Sequence, residues 1–413
     1  MKKFNITFLV IILFTSLIAA QTTYYVSFSQ GNDNNTGTSP GSAWRTLARV
    51  DASWNSFNPG DSILFKRGDE WAPVTSTYLL RFPTDYGGTQ NNYIVLGAYG
   101  SGPKPILSIL NSSSQAGVRA DGLHWMIIQD ITFYCALTLR GHTNGVHDLK
   151  FFRLGFNGQP NGVDVTSHLW LQGVVFPTPT VGVYDHIEPV FNIEVGYCTF
   201  ENCWDAGFQS NDALNLNVAR ENVWVHHNTF VNTRNRESVD IGGGNDMTIE
   251  YNKIYGGTSN FSGMKIHAQY HTLKNLVFRG NEIIVQSDVI PLTVYGAQDS
   301  WIYNNTLAHN TNMPGGASHA GLYMGARSSG HAQIFCSEFV NTVVANNIVN
   351  GRVELVHATG FTTTYNLSDD GFNTNIVWSK TWTQVPLPES NFFCICHIIS
   401  RSCITIAINQ YLI

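Results

Sequence analysis

The chain is written in short apolar runs of period two. "TIEYNKIYG" around Asn252 alternates apolar and polar positions, breaks at an asparagine, and resumes as a second short strand. The same frame recurs in "VHHNTFVNT" around Asn228, "VFRGNEIIV" around Asn281, "IYNNTLAHN" around Asn305 and "VANNIVNGR" around Asn347. The asparagines are separated by 24, 29 and 24 residues from Asn228 to Asn305. "VGYCTFENC" places Cys198 in that frame 30 residues earlier, and "IIQDITFYC" reads as an older copy with Asp130 at the asparagine position. A period in the twenties marks a solenoid, whose units bury their cores against one another. Period-two alternation and few helix formers exclude helical repeats, and no leucine grid is present. The pattern predicts a parallel β-helix with two or three short strands per turn. Equivalent residues of successive turns then stack at about 4.8 Å. An inward asparagine at a bend can bond the amide above and below it, so this column is predicted to be structural.

Composition fits this reading. Hydrophobic residues make up 43% and charged residues 13% of 413, enough for a large core and too apolar for disorder. The 37 glycines favour tight turns. Net charge is −6 without a basic stripe, which excludes a nucleic-acid binder. Seven cysteines at irregular spacings read as small buried residues, with room for one bridge at most.

Residues 1–20 have the layout of a secretory signal peptide: Lys2 and Lys3, an apolar run over 8–18, then Ala19 and Ala20. No later stretch is long and apolar enough to span a bilayer. The expected product is an exported protein, free of the membrane after cleavage and monomeric. Its single β-helix domain covers 21–390: an N-terminal cap over 21–60 with the helix-like "TLARVDASW", a first coil strand in "GDSILFKRG", early coils over 61–155 and the clearest coils over 191–370. Residues 156–190 break the period and are expected to be a long excursion forming one wall of a cleft. Residues 391–413 lack turn signals and are either an apolar end cap or a poorly packed tail.

Candidate chemistry lies on the strand preceding each asparagine strand. In "RESVDIGGG", "SGMKIHAQ", "IPLTVYGAQ" and "AGLYMGARSS", alternation sends Val239, Ile241, Met264, Ile266, Leu292, Val294, Leu322 and Met324 inward. The outward, solvent-facing row then runs from Asp205 and Gln209 through Glu237 and Asp240, Lys265 and His267, to Tyr295, Tyr323 and Arg327, with Arg236 beside it. The alignment leaves either Lys265 or His267 beside Asp240. "VHHN" is not a metal motif, because adjacent strand residues point to opposite faces.

The segment "TYYVSFSQGNDNNTGTSPGSAWRTLARV…FNPGDSILFKRGDEW" resembles the opening of secreted right-handed parallel β-helix proteins of the pectate-lyase-like superfamily. The resemblance implies an all-β, right-handed parallel β-helix and a polysaccharide lyase or glycoside hydrolase. "GMKIHA" resembles the strand that carries the catalytic lysine in one group of pectate lyases, with Met264 and His267 standing where that strand has Phe and Gly. On this likeness Lys265, with His267 and Asp240, is the expected catalytic set of a calcium-assisted β-elimination on a uronate polymer. Asp205, Glu237 and Asp240 are the expected Ca²⁺ ligands; Gln209, Arg236, Tyr295, Tyr323 and Arg327 are expected to bind substrate. The cation would neutralise the uronate carboxylate and the base would take the adjacent proton. Two alternatives stand. One is a glycoside hydrolase using a carboxylate pair from Glu237, Asp240, Asp205 and Asp212. The other is a non-catalytic carbohydrate-binding β-helix.

Overall fold

The computed structural model describes residues 21–72, 78–109, 117–142, 145–160, 164, 167–172, 190–203, 206–210, 220–234, 237–256, 262–267, 273–286, 289–309, 320–325, 339–350, 352–356, 361–364, 366–368 and 372–374. The predicted leader and the 391–413 tail lie outside them. Each turn of the chain lays down three strands in a fixed order. Arg220–His226 is followed by Thr229–Val231 and Val239–Gly242, and Gly244–Glu250 opens the next turn. Repetition builds a 12-stranded sheet from Thr23–Val26 onward and two 11-stranded sheets, one starting at Glu70–Trp71 and one at Leu80–Arg81. All three pair in parallel, one turn to the next. This is the right-handed parallel β-helix that the alternation predicts. The sheet starting at Leu80–Arg81 carries the candidate chemistry and is called the site sheet below.

The inward set is as expected. Val239, Ile241, Met264, Ile266, Leu292, Val294, Leu322 and Met324 are all fully buried. Phe133, Phe156, Phe200 and Phe230 stack along the axis with centroids 5.2, 4.9 and 4.6 Å apart. Sequence neighbours one turn apart thus become packing partners, which is how a solenoid builds a core without long-range chain crossings.

The asparagine column forms a continuous ladder. Asn228 Nδ2 donates to Asn252 Oδ1 at 3.0 Å, Asn252 to Asn281 at 3.0 Å, Asn281 to Asn305 at 3.1 Å and Asn305 to Asn347 at 2.9 Å. Asn347 extends it to Asn366 at 2.8 Å. Each Oδ1 also accepts a backbone N–H from the preceding turn, including that of Cys198. Directly before each ladder residue stands one with left-handed φ: His227 (+54°), Tyr251 (+54°), Gly280 (+63°), Asn304 (+56°) and Asn346 (+53°). That conformation turns the chain out of one sheet and leaves backbone groups that the amide then satisfies. Asp130 is not a ladder residue: it holds the left-handed position (+59°), and the buried Ile131 takes the ladder place. The column therefore runs Ile131, Leu154, Cys198 and then asparagines, since the same bend recurs while the amide chain starts at Asn228. Cys135, Cys198 and Cys203 are free and buried, and burial pushes the Cys198 thiol up to about 12.

A second polar ladder on the long sheet escaped the sequence pattern. Asn192 donates to Asp148, Asn222 to Asn192, Asn275 to Asp246 and Asn341 to Asp299, all within 3.0 Å. These residues too have left-handed φ, between 47° and 55°.

Two boundary expectations change. Leu47–Asp51 is helical, with Thr46 capping it through Arg49 N–H, and its Leu47 and Val50 are buried in the core cluster that also holds Trp44 and Trp54. The coil, however, begins before the cap: Thr23–Val26 pairs in register with Ser62–Lys66. Residues 156–190 are not one excursion either. Gly155–Asn157 and Leu169–Gln172 are regular strands of the second and site sheets. Leu169 and Leu171 alternate inward, and the polar and proline-rich text around them hid that rung. No helix among the described residues is long and apolar enough to cross a membrane.

Asn281→Ala removes four ladder hydrogen bonds, two donated and two accepted. It is expected to lower stability in urea unfolding by about 2–4 kcal/mol, whereas a change below about 1 kcal/mol would mean the ladder is dispensable.

Candidate functional site

The outward positions of the site sheet align from turn to turn. Thr138 lies opposite Trp170, Trp170 opposite Gln209, Gln209 opposite Asp240, Asp240 opposite Lys265, Lys265 opposite Thr293, and Thr293 opposite Tyr323. This settles the register left open by the alignment. Lys265 faces Asp240, and His267 faces Gly242.

Lys265 joins two carboxylates. Its Nζ donates to Glu237 Oε1 at 2.7 Å and lies 3.4 Å from Asp240 Oδ2. Glu237 joins the cluster although strand parity alone would not place it with Asp240. It precedes the strand Val239–Gly242, where alternation has not yet begun. The row is outward from the coil but not solvent-facing as expected. The Glu237 and Asp240 side chains are only 2% and 3% exposed, against 21% for Lys265. Gln209 and Thr293 are buried as well, and Thr293 shares a 2.6 Å hydrogen bond with Ser262. Carboxylates tolerate such burial because the ammonium compensates them; unpaired, they would not.

The same pairing sets the state of the lysine. Burial works to lower the Lys265 pKa, but the charges of Asp240 and Glu237 and their hydrogen bonds outweigh it and hold it above its ordinary value. Lys265 is a firm cation here, suited to holding negative charge and unsuited to taking a proton.

Tyr295 and Tyr323 meet edge to face with centroids 5.9 Å apart at the C-terminal end of the row. Tyr295 lies opposite His267 and is therefore displaced from the Asp240–Lys265 line. Asp205, Asp212, Arg236 and Arg327 fall outside the described residues. His267 lies in the strand Ser262–His267, with its backbone alone described. The structure thus brings together Glu237, Asp240 and Lys265, with Gln209 adjoining and the tyrosines farther along. Sequence reasoning missed Trp170, which belongs to the row; the alternation of "LWLQ" was the signal that could have found it.

Among the described residues no group of three or more His, Cys, Asp or Glu side chains is placed to hold a metal ion. Ca²⁺ takes six to eight oxygens. The two described carboxylates both face the Lys265 ammonium, so they do not by themselves form such a cage. The two "VHHN" histidines do not point to opposite faces, because left-handed His227 breaks the alternation: His226 Nδ1 and His227 Nδ1 come within 3.1 Å, and both rings pack on Tyr197 on the long sheet.

Lys265→Met leaves two buried carboxylates without their cation and is expected to destabilise by about 3–5 kcal/mol. The lysine's folded pKa lies above its ordinary 10.5, so its contribution is complete below the unfolded-state value and fades as pH rises through the folded one. The penalty, measured by chemical denaturation, should be constant from about pH 6 to 9 and shrink above about pH 10.4. A penalty that vanishes near neutrality would contradict the pairing.

No family model matches the chain. A curated relative, lacto-N-biosidase of Bifidobacterium longum subsp. longum, is 36% identical over 89 residues, which are 21% of this chain and 5% of that protein. Among solved structures, a GH136 lacto-N-biosidase from Eubacterium ramulus superposes with a TM-score of 0.47 at 14% identity, covering 84% of this chain and 67% of that one. The A-module of the Azotobacter vinelandii mannuronan C-5 epimerase AlgE4 gives a TM-score of 0.43 at 13% identity, covering 84% and 97%. At these identities the solved structures are likenesses of fold alone.

Proposed function

We propose that this chain is an exported carbohydrate-active enzyme that hydrolyses glycosidic bonds with Glu237 and Asp240 as its working carboxylates. The observation that carries the proposal is the buried Glu237–Lys265–Asp240 cluster. A solenoid sheet gains nothing in stability from buried charge that a well-packed apolar rung would not supply. Perturbed, paired ionisable groups of this kind concentrate at functional sites. The shared ammonium, 2.7 Å from Glu237 Oε1 and 3.4 Å from Asp240 Oδ2, keeps those two oxygens within about 6 Å of each other, below the wider spacing of inverting pairs.

In this reading Glu237, with the shorter ion pair, attacks the anomeric carbon while Asp240 gives its proton to the departing glycosidic oxygen. A carbon–oxygen bond to Glu237 forms as the glycosidic bond breaks. Water, deprotonated by Asp240, then releases the sugar and restores both residues. Lys265 is a positioning residue, balancing charge on the pair. The tyrosine pair offers an aromatic surface for a sugar face. The partial likeness to a lacto-N-biosidase supports hydrolysis, though the matched segment is a small part of that protein.

Calcium-assisted β-elimination, with Lys265 as base, is the second reading. Its support is the register that sets Lys265 rather than His267 opposite Asp240. It ranks lower because the ammonium is held protonated.

The test is incubation with neutral and uronate glycans, scoring reducing ends beside the ultraviolet absorbance of unsaturated uronate ends. New reducing ends without that absorbance are expected, unaffected by chelation. Glu237→Gln and Asp240→Asn should each lower kcat by about a thousandfold with the fold intact. Calcium-dependent absorbance abolished by Lys265→Ala would establish the lyase instead. Loss of activity confined to Asp205→Asn or Asp212→Asn would move the site, and binding without any product would leave a non-catalytic module.

A further inference from the structure

The outward row continues from the carboxylates toward the N-terminal turns, and polar atoms there lack partners. Trp170 stands between the fully buried Leu169 and Leu171 and faces away from the core. It lies opposite Gln209, which lies opposite Asp240. Trp170 Nε1, Gln209 Oε1 and both ring nitrogens of His168 are buried and make no hydrogen bond. His168 is 1% exposed and meets the Trp170 ring edge to face, centroids 5.8 Å apart at 84°.

Leaving one such atom unsatisfied costs about 1–3 kcal/mol, and native proteins carry few of them. Packing does not account for three such neighbours at one place, because Phe or Leu would fill the same space without the penalty. Their chemistry narrows what could satisfy them. Trp170 offers a donor and Gln209 a carbonyl acceptor, while a neutral imidazole offers one of each. Burial pulls the His168 pKa down to about 4, so the imidazole is uncharged at neutral pH. The set carries no charge to attract a uronate or a metal ion. It matches a group that both accepts and donates, which is what a sugar hydroxyl does.

We propose that His168, Trp170 and Gln209 form a subsite for an uncharged sugar unit next to the Glu237–Asp240–Lys265 cluster, with Trp170 Nε1 donating to, and Gln209 Oε1 accepting from, sugar hydroxyls. The subsite deepens the glycan-cleavage reading and rests on it for its role, but its test is a binding test. Neutral oligomers of glucose, galactose and xylose, and oligogalacturonate, are titrated calorimetrically into the full chain. A neutral oligomer is expected to bind. Trp170→Phe and Gln209→Met, which keep bulk and remove the orphaned polar atom, should each weaken Kd about tenfold. Their melting temperatures should hold or rise, since each removes an unsatisfied group from the free protein. Glu237→Gln should keep the wild-type Kd. Full turnover by Glu237→Gln would sink the hydrolase reading and leave the subsite standing, provided the other two variants bind more weakly. Unchanged Kd in both variants overturns the subsite. So does weaker binding accompanied by a fall in melting temperature, which marks a structural role, and so does binding of oligogalacturonate only or of none of the probes.

Discussion

Register between successive turns is the constraint on which the rest of this protein depends. A shift of one residue in any rung would exchange its inward and outward sets, putting Asp240 into the core and Ile241 outside. The asparagine ladder opposes that shift. Each amide bonds the amide of the next turn and a backbone carbonyl of the preceding turn, so a slipped rung would strand several buried polar groups at once. Loss of even one such bond in the interior is expensive, and loss of a set is prohibitive.

The candidate site uses this rigidity. Three side chains from two neighbouring rungs meet because their strands cannot slide: Asp240 and Lys265 are cross-strand partners, and Glu237 reaches them from the bend before its strand. A cluster of two buried acids and one base contributes little net stability. What the fold supplies is a fixed distance between charges, with no lid or flexible loop required among the described residues to create it.

Extension along the axis is the other property a solenoid brings to a site. Adjacent outward positions recur every rung, so a row from Trp170 to Tyr323 changes character by single substitutions. Uncharged hydrogen-bonding groups come first, then the charged cluster, then Thr293 and the aromatic pair. A chain-like ligand laid along such a row would meet a different chemistry at each unit, while Leu169, Phe208, Val239, Met264, Leu292 and Leu322 beneath it are all buried and apolar.

The sequence by itself determined the fold class, the inward residues and the ladder from Asn228 to Asn347, because period-two alternation and a repeated asparagine are local signals that survive without coordinates. It determined the outward parity of Asp240 and Lys265 for the same reason. It could not determine which of Lys265 and His267 faces Asp240, since the spacing before Asn281 differs from that before Asn252 and Asn305. It misplaced Asp130 by one residue, because a left-handed bend residue and a ladder residue look alike in a polar frame. It passed over Leu169–Gln172, where proline, glycine and polar text surrounds a four-residue rung. The burial of Glu237, Asp240 and Gln209, the protonated state of Lys265 and the unsatisfied atoms of His168 and Trp170 belong to the tertiary structure alone. Desolvation and charge pairing depend on what lies across the sheet and above it, and residues a turn or more apart in the chain decide that.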